Sequence, residues 1–187
     1  MKTGRGRRKA RSTAAAAMIA AVLAGCESRA PQGDAGGESG PRVAEDWRLR
    51  DVSTSAETSL SAFRGKVVFL NVWATWCPPC VMEMPSIARL YERFRSDPNV
   101  AFLLVSVDDD SEKVRSFLEK NGYTMPTYLE VARSSAPAAL QTRGIPATFI
   151  LDGEGVIRRS KVGAMEWDSP AIIEQIERLS RSTGTKG

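Results

Sequence analysis

Lys66-Val-Val-Phe-Leu-Asn-Val-Trp73, followed directly by Ala-Thr-Trp-Cys77-Pro-Pro-Cys80, is the stretch on which the fold turns. Its first half is almost continuously apolar and rich in β-branched residues, and Arg64-Gly65 precedes it, as expected of a strand buried on both faces of a sheet. Ala101-Phe-Leu-Leu-Val-Ser-Val107 reads the same way. Between them, Met84, Ile87, Ala88, Tyr91 and Phe94 recur at helical spacing, which predicts a strand, helix, strand unit. The cysteine pair falls where the first strand gives way to the helix.

Working outward, a second helix is expected from Asp110 to Lys120, stopped by Asn121-Gly122. Asp108-Asp109-Asp110 invites comparison with a calcium loop. It lacks the further spaced oxygen ligands, and Asp109 with Glu112 fits a helix-capping box instead. Ala147-Thr-Phe-Ile-Leu151 and Val156-Ile-Arg-Arg-Ser160, separated by Asp-Gly-Glu-Gly155, predict a hairpin. The last helix opens at Asp168-Ser169-Pro170 and carries Ile172, Ile173, Ile176 and Leu179 on one face. No repeat and no second linker interrupts this order. It implies one α/β domain over residues 43–182, a mixed central sheet flanked by helices, with a short tail at 183–187.

The chain has 187 residues, 42% hydrophobic and 26% charged, enough for one globular domain with short appendages. With no histidine, every Cys-His or Ser-His catalytic pair is excluded, as are imidazole metal sites. The net charge of +4 belongs to the N-terminus: residues 1–25 hold Lys2, Arg5, Arg7, Arg8, Lys9 and Arg11 and no acid. The 20 basic residues beyond them face 22 acidic ones, so nothing argues for nucleic acid as a partner.

Those basic residues precede an apolar run from Ala14 to Ala24, the layout of a secretory signal peptide over residues 1–25. Eleven apolar residues cannot cross a hydrocarbon core of ~30 Å at ~1.5 Å per residue. The run ends Leu23-Ala24-Gly25-Cys26, which resembles the lipobox of bacterial lipoproteins, with Cys26 as the lipidated first residue; an ordinary cleavage site is the other reading. Residues 26–42, rich in Gly, Pro and Ser, then read as a flexible tether. The expected location is therefore outside the cytoplasm, anchored to a bacterial membrane through Cys26.

In an exported protein a cysteine pair is ordinarily a structural disulfide. A bridge between Cys77 and Cys80, however, closes a loop so short that it removes little unfolded-chain entropy. At a helix start the first thiol meets free N–H groups that favour thiolate, which suits redox chemistry. A zinc site would need four ligands, and no partners exist in the sequence.

The stretch Asn71 to Cys80, with Gly144-Ile145-Pro146-Ala-Thr-Phe-Ile-Leu151 further on and Pro85 five residues after Cys80, resembles the thioredoxin superfamily, more narrowly its membrane-tethered TlpA/ResA-type thiol:disulfide oxidoreductases. The resemblance covers roughly residues 43 to 182. It implies a thioredoxin-like fold with an inserted helix and strand between the CxxC and a cis-proline, Pro146, which lies 69 positions after Cys77. An ordinary trans turn proline is the competing reading. It further implies Cys77 as nucleophile, Cys80 as the resolving thiol, and Ile145 beside Pro146 as backbone on which a substrate segment pairs. Trp76, Pro78 and Pro79 would complete the substrate-binding surface, whereas Trp73 reads as core. Plain thioredoxins carry a buried Asp at the position of Asn71, and an amide cannot fill that proton-relay role. Glu83 matches an acidic residue of the TlpA/ResA type placed to deprotonate Cys80; a solvated helix charge is the alternative.

The implied function is reduction of protein disulfides, with no cofactor beyond the Cys77/Cys80 pair and no metal. The resemblance suggests apocytochrome c as one client and a membrane electron carrier as donor. A thiol peroxidase of related fold would need Thr or Ser where Ala74 stands. A copper-binding assembly module is the alternative from another class, since Cu(I) accepts two thiolates. Pro78 and Pro79 remove two N–H groups that would otherwise face the Cys77 sulfur. Replacing Pro78 by Gly should lower the Cys77 thiol pKa, read from the pH dependence of its alkylation; an unchanged pKa would refute this account of the loop.

Overall fold

The computed structural model describes residues 40–132 and 135–184. The leader, Cys26 and most of the expected tether therefore lie outside the described residues. Seven strands form one sheet in the order β2-β1-β5-β4-β3-β6-β7: β1 Arg48–Asp51, β2 Glu57–Ser59, β3 Val67–Trp73, β4 Val100–Ser106, β5 Thr127–Glu130, β6 Ala147–Leu151 and β7 Ile157–Val162. Three α-helices accompany it: α1 Pro78–Phe94, α2 Ser111–Asn121 and α3 Pro170–Gly184.

All seven residues of β3 are buried, as its unbroken apolar run requires. It pairs in parallel with β4, Trp73 opposite Ser106, and antiparallel with β6, Val72 opposite Ala147. Alternation splits its side chains between two cores. Val67, Phe69 and Trp73 join Met84, Ile87 and Leu90 of α1, Val114 and Leu118 of α2, and Ile172 and Ile176 of α3. Val68, Leu70 and Val72 face the second core, which no residue of the three helices enters. Val43, Trp47, Leu60 and Leu140, from the N-terminal segment and two 3-10 turns, close that face. By the same alternation Asn71 points toward the helical side.

The short strands β1 and β2, of four and three residues, and the 3-10 turns carry no periodicity long enough to read from sequence. Pairing also starts before residue 43: Arg42 bridges Val156, and Ile157 N donates to the Pro41 carbonyl at 2.9 Å. A Cβ on Gly40 would lie 2.0 Å from the Ile157 carbonyl oxygen, so only glycine allows this approach. α2 is capped by Asp110, whose carboxylate accepts from Glu112 N, and it stops at Gly122 with φ +67°. The cap is thus one residue later than the Asp109-Glu112 box, because the helix starts at Ser111 and Asp110 is the extended residue before it.

Leu90 is fully buried on the face of α1 that docks on the sheet. Leu90→Ala should lower unfolding free energy by about 2–5 kcal/mol in a denaturant titration.

Candidate active site

The link from β3 to α1 is held by one carboxylate. Thr75 donates to Asp108 twice, from its backbone N at 2.9 Å and its hydroxyl at 2.7 Å. The Ser106 hydroxyl adds a third bond at 2.6 Å. Asp108 follows β4, the parallel neighbour of β3, so it stands beside the start of α1. Sequence reading missed this residue, treating the acidic run as helix capping alone; its place just after the second buried strand was the available signal.

Cys77 is the N-cap of α1, with Pro78 and Pro79 in the first two helical positions. Prolines suit those positions because their missing N–H groups have no intrahelical partner there. Cys77 and Cys80 form a disulfide with a Cα–Cα distance of 5.3 Å. The Cys80 backbone N–H, the first one present after the two prolines, points at the Cys77 sulfur, 3.3 Å away. Cys77 keeps 5% of its surface exposed and Cys80 none, so Cys77 is the less enclosed of the two.

The pairing of β6 with β3 brings Pro146 to the same place. The Ile145–Pro146 peptide is cis, and the Ile145 carbonyl oxygen lies 3.9 Å from the Cys77 sulfur. Trp76 is exposed, as are Pro78 and Pro79, while Trp73 is fully buried in the core. Met82, also exposed, is a second large apolar side chain on α1 close to the pair in sequence that sequence reading passed over. Thus Cys77, Cys80, Ile145 and Pro146 meet at one corner, with Trp76, Pro78 and Pro79 adjacent in the chain.

Glu83, one helical turn beyond Cys80, is only 3% exposed and is no solvated helix charge. Its Oε1 accepts from Asn71 Nδ2 at 2.8 Å. Its Oε2 accepts from Trp167 Nε1 at 2.9 Å and from Met165 N at 3.2 Å. Asn71 Nδ2 also donates to the Thr148 hydroxyl at 2.8 Å. Burial pushes the Glu83 carboxyl above the usual carboxylate range, and the donors from Trp167, Asn71 and Met165 oppose that rise without cancelling it. Asn71, Thr148, Met165 and Trp167 come from three separate parts of the chain, so no local motif announced this cluster. Among the described residues no group of three or more His, Cys, Asp or Glu side chains could hold a metal.

Comparison with known proteins places these features in context. The Redoxin family model matches residues 36–176. A thiol-disulfide oxidoreductase ResA of Geobacillus kaustophilus is 35% identical over 123 residues, 66% of this chain and 69% of that protein. One of the same description from Bacillus subtilis is 33% identical over 167 residues, 89% of this chain and 85% of the relative. Among solved structures, StoA of Bacillus subtilis superposes with a TM-score of 0.58 at 24% identity, covering 75% of this chain and 99% of that one. A thioredoxin-family thiol:disulfide interchange protein of Chlorobium tepidum gives 0.62 at 21% identity, covering 77% and 99%. These two likenesses establish the shared fold.

The raised Glu83 carboxyl has a consequence for stability. Between its unfolded value, near 4.5, and its higher folded value the native state binds more protons than the unfolded one. Its stabilising contribution is therefore complete below the unfolded value and is lost as pH rises through the folded one. Glu83→Gln, which imitates the neutral carboxyl, should remove that decline. Denaturant midpoints of the two proteins should diverge with rising pH in favour of the variant; parallel profiles would contradict it.

Proposed function

The chain belongs to the Redoxin family, as a thiol:disulfide oxidoreductase of the ResA type on a thioredoxin fold, and from that premise we propose that it reduces protein disulfides outside the cytoplasm. The observation that carries the reading is the Cys77–Cys80 disulfide at the N-terminus of α1, Cys77 slightly exposed and Cys80 fully enclosed, beside the Ile145 carbonyl.

In the reduced protein Cys77 thiolate, favoured by the Cys80 N–H and the helix N-terminus, attacks a substrate disulfide. One substrate sulfur leaves as thiolate and the other stays bound to Cys77. Cys80 then gives up its proton and attacks the Cys77 sulfur, expelling the second substrate thiolate and closing the disulfide. The substrate gains two electrons and takes up two protons; the pair is oxidised by the same two electrons. Glu83, one turn further along the helix, is the group that exchanges the Cys80 proton. Ile145 and Pro146 offer backbone for an extended substrate segment, and Trp76, Pro78 and Pro79 form the exposed ground beside it.

Export through the leader and lipidation at Cys26 would hold the domain at the membrane surface. No helix among the described residues is long and apolar enough to cross a membrane. Each turnover leaves the protein oxidised, and a membrane electron carrier has to recharge it. Apocytochrome c, with its paired thiols, is the client the family resemblance suggests.

The reduction potential of the Cys77/Cys80 couple, measured in thiol redox buffers, tests the direction. A value near ~−270 mV supports a reductase, and one near ~−120 mV would make the protein an oxidant and overturn the proposal. Cys80→Ser should accumulate a mixed disulfide with insulin at Cys77, and Cys77→Ser should form none.

A further inference from the structure

The two oxygens of the buried Glu83 carboxyl have unequal surroundings. Oε2 faces Trp167 Nε1 and Met165 N, which donate hydrogen bonds and have no lone pair with which to accept one. A proton on Oε2 would meet two N–H groups head on. Among the described residues Oε1 accepts only from Asn71 Nδ2, whose other partner is the Thr148 hydroxyl. Both partners of that amide nitrogen can change sense: a hydroxyl both donates and accepts, and a carboxyl oxygen accepts when bare and donates when protonated. At the far end of the same amide, Asn71 Oδ1 is buried without a hydrogen-bond partner among the described residues. Turning the amide by half a revolution exchanges O and N, gives Oε1–H and the Thr148 hydroxyl an oxygen to donate to, and breaks no bond at the other end.

We propose that Glu83 holds its proton on Oε1 alone, and that Asn71, by turning its amide, and Thr148, by reversing its hydroxyl, are positioning residues that keep this carboxyl hydrogen-bonded in both protonation states. The inference rests on the reading of Glu83 as the proton-exchanging group and assigns the oxygen at which exchange occurs. On protonation one O–H bond forms at Oε1 and donates to Asn71 Oδ1. On loss of that proton the amide turns back and Nδ2 donates to the bare oxygen. Asn71 itself neither gains nor loses a proton, so an amide serves here where a titrating group would not. Trp167 and Met165 differ in kind from Asn71: they can only donate, to an Oε2 that stays bare in both states, and they bind it more strongly when the carboxyl is ionised.

Few other charges face this group. β3 and β6 carry no ionisable side chain, and both cysteines are locked in the disulfide. Lys161 on β7 is the exposed cross-strand neighbour of Thr148. Glu166 and Asp168, flanking Trp167, pair with Arg89 of α1.

The experiment is a pH titration of the oxidised full chain by 13C NMR of the Glu83 carboxyl, alongside the side-chain amide resonances of Asn71. Trp167→Phe should raise the Glu83 midpoint by roughly half to one pH unit, the loss of one donor to the charged form. Asn71→Leu should move it by clearly less, because the amide serves both forms. In the unmodified protein the Asn71 amide resonances should shift with the Glu83 midpoint. Asn71→Leu raising the midpoint as far as Trp167→Phe, or Trp167→Phe leaving it in place, overturns the proposal. If Asn71→Leu fails to fold, the Asn71 resonances of the unmodified protein decide: indifference to the Glu83 titration overturns the turning amide. Insulin reduction by the unmodified protein is measured separately, so loss of the reductase reading would appear there and not in the carboxyl titration.

Discussion

Everything at the reactive corner depends on the β3–α1 junction staying where the parallel pairing of β3 and β4 puts it. Asp108 secures it by taking three hydrogen bonds, two from Thr75 and one from Ser106, at the ends of the two adjacent strands. A charged acceptor is a strong anchor for neutral donors, and it ties the loop to the strand beside it. The loop then delivers Cys77 to the helix N-terminus, where the two prolines leave the Cys80 N–H as the donor nearest the sulfur. The same strand, through its other neighbour β6, draws in Ile145 and Pro146. One doubly buried strand thus supplies both halves of the corner.

Below the sulfurs the core accepts a cost. Most of the first core is apolar, yet it encloses Asn71 and Glu83 and leaves Asn71 Oδ1 without a partner among the described residues. A buried carboxyl is tolerated where hydrogen bonds replace water, and here three donors do so. Even so, burial still outweighs them and holds the carboxyl toward its neutral form. Local departures from an apolar core of this kind are expected where chemistry is carried out. Trp167, between the hairpin and α3, ties the site to the sheet: its ring packs edge-on against Phe69 of β3 and its indole N–H donates to Glu83 of α1.

Strong periodic signals were legible. The strands β3, β4 and β6, the helices α1 to α3, the stop at Gly122 and the hairpin after Leu151 follow from local runs of residues whose burial is repeated over several positions. The edge strands β1 and β2 were not, since three or four residues with mixed burial do not establish a period. Nor was the covering of the second sheet face by Trp47, Leu60 and Leu140, scattered residues brought together only by the chain's return. The reading of Asp109 as a cap failed by one position because three consecutive aspartates offer the same side chain at each place, and only the backbone turn at Asp110 selects one; the partner of Asp108 in Thr75, 33 residues away, was equally out of reach of local rules.

The sequence alone determined the α/β class, the helix that begins at the cysteine pair, and the likeness to thioredoxin-type proteins, because each is written in contiguous residues obeying short-range rules of burial, capping and proline geometry. Only the tertiary structure decided that Glu83 is enclosed and which donors meet each of its oxygens. It also set Asp108 against Thr75 and the Ile145 carbonyl against the Cys77 sulfur. Those contacts join residues 12 to 84 positions apart, and their energies come from desolvation and hydrogen-bond direction, which exist only once the strands have paired.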